Sequence, residues 1–221
     1  MEDYYRKRAL EYERIYHRDD PVRLEEQRKI AEALKTALTG ADVLEVAAGT
    51  GYWTQSLSEI ASTITATDAV EETLAVAKSK TYRCPVEFKT EDAYHLSFAD
   101  TSFSGGMANF WLSHVPKERL VEFFNEFHRV LKEGAPVFLA DNNFDPSSGG
   151  KLVRKADDVN TYKLRKLDDG SEHAIVKNYY SREELLRIFS ELSPDFTPEN
   201  LFYGKHFWYA QYLLRKLPAM D

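Results

Sequence analysis

The feature that most constrains this chain is a mostly apolar run, Val43-Leu44-Glu45-Val46-Ala47, that ends in Ala48-Gly49-Thr50-Gly51 and leads into helix-forming sequence from Tyr52 to Ala61. A buried strand that turns through glycines into a helix lets backbone approach a ligand closely, and the helix N-terminus favours anionic or polar groups. The same rhythm continues downstream. Thr63 to Asp68 reads as a second strand, Glu71 to Lys78 as a second helix, Val86 to Thr90 as a third strand and Gly106 to Phe110 as a fourth. A helix over Lys117 to Lys132, with Leu120, Phe124, Phe127 and Leu131 inward, precedes a fifth strand, Pro136 to Ala140. Strands alternating with helices are crossover-connected and parallel, so the chain reads as an α/β protein with a doubly wound, Rossmann-like sheet.

The flanks depart from that rhythm. Asp20-Pro21 opens a helix, an Asp N-cap before a Pro that needs no N–H, with Leu24, Ile30, Ala31, Leu34 and Leu38 at helical spacing and Gly40 as its stop. Thr161 to Leu167 and His173 to Lys177 flank Asp168-Asp169-Gly170, a turn signal that predicts an inserted hairpin. Ser181-Arg182-Glu183-Glu184 fits a capping box for a helix through Phe189, and the segments Thr197 to Tyr203 and Phe207 to Leu214 predict an antiparallel hairpin. The expected organisation is one domain: a helical N-terminal lid over residues 1–40, a core over 41–142, a cap over 143–180, and a closing helix and hairpin over 181–221.

Composition removes whole classes of function. With 29 Lys and Arg against 36 Asp and Glu the net charge is −7, which argues against a nucleic-acid or membrane-surface partner. Cys84 is the single cysteine, so no intrachain disulfide or cysteine metal cluster forms, and a reducing, cytoplasmic setting is expected. The start, MEDYYRKRALEYER, is too charged for a signal peptide.

Two acids stand where an open α/β sheet binds its ligands, at the carboxyl ends of strands. Asp68 ends the second strand seventeen residues after Gly51, where a carboxylate accepts from both hydroxyls of a ribose or caps the following helix. Asp92 follows the third strand, where it accepts from an adenine amino group or faces solvent. Four ordered segments, VLEVAAGTGYWT, ATDAVEETLAVA, TEDAYHLSFADTSF and HRVLKEGAPVFLAD, together resemble the motifs of the class I S-adenosylmethionine-dependent methyltransferases over residues 40 to 141. The first is similar to that family's E/D-x-G/A-x-G-x-G, the third to its D-A-x-x-L-P-F-x-D-x-S-F. Ser104-Gly105-Gly106 departs from its usual entry to strand four. The resemblance implies a seven-stranded, mostly parallel sheet whose last strand is antiparallel. It also implies a site for S-adenosylmethionine, leaving as S-adenosylhomocysteine, built from Glu45, Ala47, Gly49, Gly51, Trp53, Asp68, Ala69, Asp92, Ala93, Asn109 and Phe110. A nicotinamide oxidoreductase is the competing enzyme class, but its third glycine position holds Thr54. A protein that binds the cofactor without transferring its methyl group is the non-enzyme alternative.

The acceptor side follows from what the cofactor leaves open. His114, in the segment Asn109 to Pro116 after strand four, is the candidate base because imidazole titrates near neutrality; its other reading is a packed, hydrogen-bonded structural histidine. Tyr5, Tyr12 and Tyr16 lie near one helical face and form either a lid or a packing stripe; with Trp111, His114, Asn142 and Arg154 they are the expected acceptor contacts. Arg154, Lys155, Lys163, Arg165 and Lys166 read as a solvated hairpin face or as an attractor for an acidic acceptor. Asp141-Asn142-Asn143 resembles half of a metal site, but the companion position is Asn109, and a hard cation wants more carboxylate, so no metal is expected. The acceptor is expected to be a small molecule, and the sequence sets no oligomeric state.

Overall fold

The glycine loop stands between β1 (Asp42–Val46) and α3 (Tyr52–Ser58). This computed structural model describes residues 2–8, 20–146, 151–167 and 170–216. A short α1 (Glu2–Arg8) precedes α2 (Pro21–Leu38). The Asp20 carboxylate caps α2 by accepting from the N–H groups of Val22 and Arg23 at 3.0 and 3.2 Å. Then come β2 (Thr63–Asp68), α4 (Glu71–Lys78), β3 (Val86–Thr90), β4 (Gly105–Asn109), α5 (Leu120–Arg129) and β5 (Pro136–Asn142). A small antiparallel sheet follows, β6 (Leu152–Arg154), β7 (Thr161–Lys166) and β8 (Glu172–Val176), and the chain returns through α6 (Arg182–Leu192), β9 (Leu201–Tyr203) and β10 (Phe207–Leu213).

The main sheet has seven strands in the order β3-β2-β1-β4-β5-β10-β9, with β10 antiparallel to both neighbours and the pairs from β3 to β5 parallel. The strand order reverses between β1 and β4, which is where such sheets open a ligand crevice. Apolar side chains cover both faces. Ile30, Leu34 and Leu38 of α2 join Trp53, Leu57 and Phe138 on one side. Phe123, Phe124 and Phe127 of α5 join Phe189, Trp208 and Tyr212 on the other. Among the described residues no helix is long and apolar enough to cross a membrane.

Gly105 and Gly106 have a packing reason. A Cβ on Gly106 would stand 2.7 Å from Leu131 Cδ1 and 2.8 Å from Phe127 Cζ, so Gly106 lets α5 lie directly on the central strand, and one on Gly105 would stand 3.0 Å from Ala41 Cβ and 3.1 Å from Leu38 Cδ2 at the end of α2. The β9–β10 connection is tied to α2, because the buried Glu26 carboxylate accepts from the N–H groups of Lys205, His206 and Phe207 at 2.7, 2.9 and 3.0 Å.

Several expectations need correction. Leu24 is exposed, because it faces away from the sheet, while Ile30, Leu34 and Leu38 are buried. Helix α3 ends at Ser58, and Lys117–Arg119 is a 3₁₀ turn before α5 rather than part of it. The cap has a third strand, β6, paired with β7. Lys163 is only 2% exposed, so the basic hairpin is not simply a solvated face: alternate residues of β7 point under the cap. Asp168 and Asp169 lie outside the described residues.

His128 on α5 is half-buried and shares a hydrogen bond with the Tyr212 hydroxyl at 2.8 Å. Burial, and then the Lys216 ammonium, push its imidazole down from the ordinary 6.5 to about 4. Below pH 6.5 the unfolded chain therefore binds a proton that the folded chain refuses, and stability is lost as the pH falls until the folded value is reached. From pH 7.5 to 5 this group should cost about 2 kcal/mol, at about 1.4 kcal/mol per pH unit below 6.5. Denaturant titrations of the parent and of His128→Gln at both pH values test this. The variant should lose about 2 kcal/mol less over that interval, whereas equal losses would contradict the assignment.

Candidate active site

A cavity of about 630 Å³ opens at the carboxyl ends of β1 to β4 and is lined by residues from Ala47 and Gly49 through Asp68, Ala69, Asp92, Ala93, Phe110, Trp111 and His114, with Tyr5 of α1 across it. Its size falls in the ordinary range for a bound small molecule. Ala47 and Gly49 both take left-handed backbone, at φ 57° and 56°. Where Gly49 would carry a Cβ there is nothing within 4 Å, so its backbone is bare toward the space above it.

The Asp68 carboxylate shapes that loop. Oδ2 accepts from the Gly49 N–H and Oδ1 from the Val70 N–H, each at 2.9 Å. Burial raises its pKa and these two N–H groups oppose the rise. Each oxygen keeps a lone pair for one hydroxyl of a vicinal diol. Across the cavity Asp92 accepts from the Tyr94 N–H at 2.9 Å, which fixes the loop that carries Ala93. Trp111 also lines the cavity, and its buried Nε1 has no hydrogen-bond partner among the described residues, an orphaned donor that an oxygen or ring nitrogen of a ligand satisfies. These features fit the diol, adenine and polar tail of S-adenosylmethionine.

The other half of the cavity is the acceptor side. His114 Nδ1 lies 2.8 Å from the Val176 carbonyl, and Nε2 lies 3.0 Å from the Tyr5 hydroxyl. A carbonyl only accepts, so Nδ1 carries the proton and Nε2 accepts from the phenol. Burial, and then the Lys177 ammonium, hold the imidazole down at about 3, so His114 is neutral at working pH. Tyr5 is brought there by α1, which is pinned through Tyr4 against the His173 ring (centroids 5.6 Å apart) and through Arg6 to Glu72 of α4 at 2.9 Å.

Not every expected residue reaches the cavity. Gly51 lies behind it: at φ 77°, a Cβ there would stand 2.5 Å from the Tyr82 hydroxyl and 3.0 Å from Ala77 Cβ, so this glycine lets α3 start against α4. Trp53 packs in the core, stacked on Phe110 with centroids 5.8 Å apart. Glu45 is buried below the loop, where burial, reinforced by the Asp68 charge, raises its carboxyl to about 8. The Asn109 amide turns back to Met107 Sδ at 3.4 Å, and that of Asn142 to Asp141 Oδ1 at 3.0 Å. Arg154 is exposed on β6, and Tyr12 and Tyr16 lie outside the described residues. Pro116 lines the cavity at the end of the segment expected to face it, whereas sequence reasoning missed Thr73, Tyr94, Arg119 and Val176, which also line the cavity. Arg119 is flat on the Tyr94 ring, 3.4 Å from its centroid, with Nε and Nη2 both bonded to Glu122 at 2.7 Å. An Arg–x–x–Glu spacing at a helix start was its only sequence signal.

Comparison with known proteins agrees with this geometry. A family model described as a methyltransferase domain matches residues 43–134. Among curated relatives, a demethylmenaquinone methyltransferase of Staphylococcus epidermidis is 34% identical over 114 residues, covering 50% of this chain and 46% of the relative. One from Chlorobaculum parvum is 35% identical over 100 residues, covering 45% and 40%. The matches thus span less than half the length of those relatives. Over nearly the whole chain, the solved DhpI–SAM–HEP complex superposes with a TM-score of 0.73 at 28% identity, covering 95% of this chain and 94% of that one. The DhpI–SAH complex does so with a TM-score of 0.71 at 29% identity, covering 95% and 93%. The motifs in order, the strand order with its antiparallel β10 and the cradle around Gly49 and Asp68 converge with these likenesses: residues 43–134 match a methyltransferase domain, and the fold is that of the class I S-adenosylmethionine-dependent methyltransferases.

Proposed function

We propose that this protein transfers a methyl group from S-adenosylmethionine to a small-molecule acceptor, without a metal ion. The observation that carries this reading is the continuity of one cavity from the Gly49–Asp68–Asp92 cradle to the wall made by Tyr5, Trp111 and His114. The relatives named for demethylmenaquinone and the DhpI complex that holds both SAM and a second molecule, HEP, support a small acceptor. So does the chain's acidic balance, which repels a phosphate backbone.

When bound, the cofactor supplies an electrophilic methyl on a positively charged sulfur, and that charge disappears on transfer. The protein's part is alignment and exclusion of water. Gly49 and Asp68 hold the nucleoside end, while α1 and the 3₁₀ turn Leu112–His114 close the acceptor end. His114 Nε2 accepts a hydrogen bond from the attacking hydroxyl or amine, either directly or through Tyr5, and orients it toward the methyl; because the free imidazole is held at about 3, it takes the proton only as the acceptor gains the positive charge that the sulfur loses, and passes it on to solvent. Metal independence is supported by Asn109 and by Asp141, whose oxygens are already engaged by Ser113, Asn142 and Lys177.

Calorimetry separates this reading from its competitors. S-adenosylmethionine and S-adenosylhomocysteine should bind one site per chain with micromolar or tighter affinity and NAD should not, and EDTA should leave both binding and, with an acceptor, turnover unchanged. Binding of NAD alone, or turnover abolished by EDTA and restored by magnesium, would overturn it.

A further inference from the structure

Behind the cavity wall a closed ring of bonds joins Ser113, Asp141, Lys177 and Asn178, which do not line the cavity, to His114 and Val176, which do. Ser113, immediately before His114, donates its N–H to Asp141 Oδ2 at 2.8 Å and its hydroxyl to Oδ1 at 2.9 Å. Lys177, immediately after Val176, places Nζ 2.6 Å from Ser113 Oγ and 3.4 Å from Asp141 Oδ1. The Val176 carbonyl accepts a hydrogen bond from His114 Nδ1–H, Asn178 donates its N–H to the Ser113 carbonyl at 2.7 Å, and its Nδ2 to that of Val115 at 3.0 Å. 

The Asn178 N–H to Ser113 carbonyl bond, at 2.7 Å, is a backbone link between the cap and the rim of the main sheet. Residues 176–178 at the end of β8 are thus sewn to residues 113–115, and the Lys177–Asp141 pair closes the seam from beneath. Both side chains are buried. A buried ion pair contributes little net stability, since apolar residues of similar volume often serve as well or better, so its presence points to a role in placing what it holds.

We infer that Lys177 and Asp141 are positioning residues for His114: through Val176 and Ser113 they fix its orientation and tautomer, so that Nε2 faces Tyr5 and the acceptor side as a hydrogen-bond acceptor. The inference rests on the proposed function only in taking that side of the cavity as the acceptor's.

The charged and titratable groups around His114 give the pair opposite electrostatic signs. Tyr5 faces it from α1, Asp141 from β5, Arg165 from β7 and Lys177 from the residue after β8. Burial disfavours the imidazolium most; Lys177 and Arg165 act in the same direction, and Asp141 opposes them. Removing Lys177 leaves the carboxylate unopposed and makes protonation easier, whereas removing Asp141 makes it harder. A merely structural pair has no such sign.

The test is an NMR pH titration of the full chain carrying ¹³C,¹⁵N-labelled histidine, with the His114 signals assigned by their loss in His114→Gln. In the parent they should report a single Nδ1-protonated tautomer that does not titrate between pH 9 and 5. In Lys177→Met, followed down to pH 3.5, a titration should appear whose midpoint lies about 1–3 pH units above the parent's, as expected when a nearby charge is removed; in Asp141→Asn there should be no titration down to pH 3.5. If Lys177→Met does not fold, the uncharged double variant Asp141→Asn, Lys177→Met should show both tautomers in exchange. An unchanged tautomer and titration in Lys177→Met, a single Nδ1 tautomer in the double variant, or a rise of the same size in Asp141→Asn would overturn the inference. No cofactor or acceptor enters this readout, so its failure is distinguishable from failure of the methyltransferase reading, which the calorimetry addresses.

Discussion

Asp68→Ala is expected to weaken S-adenosylhomocysteine binding by about 10²–10⁴-fold. Two charge-assisted hydrogen bonds to a ribose are lost, at about 1.5–3 kcal/mol each, or about 3–6 kcal/mol together, and each 1.4 kcal/mol is a factor of ten. The loss has a second source in the protein itself. The same carboxylate holds the N–H groups of Gly49 and Val70, so its removal also releases the left-handed loop from the shape that leaves room for the ligand. Asp68→Asn retains one carbonyl oxygen but turns an NH₂ toward an N–H donor, and it should fall between the parent and the alanine variant. Calorimetry on the three proteins decides the matter; an alanine variant binding within threefold of the parent would remove Asp68 from the site.

His114→Ala should lower the rate of methyl transfer by about 10²–10⁴-fold, the usual range for a positioned proton acceptor, while leaving cofactor affinity within about twofold of the parent. The split follows from the geometry. His114 shares the far wall with Tyr5 and Val176, on the opposite side from Gly49 and Asp68. Because its imidazole is held at about 3, the parent's rate should show no acid limb from this group above pH 5. Tyr5→Phe separates the two ways the proton can travel. A relay through the phenol predicts a loss close to that of His114→Ala, and direct contact with Nε2 predicts a much smaller one. A rate in His114→Ala equal to the parent's, with only thermal stability reduced, would make the histidine structural.

How much of this was legible in the sequence depends on what each residue's signal was local to. Asp20-Pro21, Gly40 and the Ser181–Glu184 box act within a few residues of themselves, and the structure places the ends of α2 and α6 there. The ordered motifs placed Gly49, Asp68, Asp92 and Phe110 on successive strand ends, and all four line one cavity. Trp53 and Gly51 belong to the same motif but answer to packing, against Phe110 in one case and against Tyr82 and Ala77 in the other. A motif fixes the order of residues along the chain, not which way each one turns. Lys177 is the sharpest case. Its burial depends on Asp141, 36 residues away in sequence, and no window around a lysine at the end of a basic hairpin carries that information. Arg119 and Val176 were missed for the same reason, since each reaches the cavity only through its partners, Tyr94 and Glu122 for the first and His114 for the second.

The most direct test of the account is a crystal structure of the protein with S-adenosylmethionine bound. The ribose should lie on the Asp68 carboxylate and the adenine beside Asp92 and Ala93. The sulfonium methyl should point at the wall of Tyr5 and His114, leaving room for an acceptor atom about 3–3.5 Å from the methyl carbon. A cofactor whose ribose makes no contact with Asp68, or whose methyl points away from Tyr5 and His114, would contradict it.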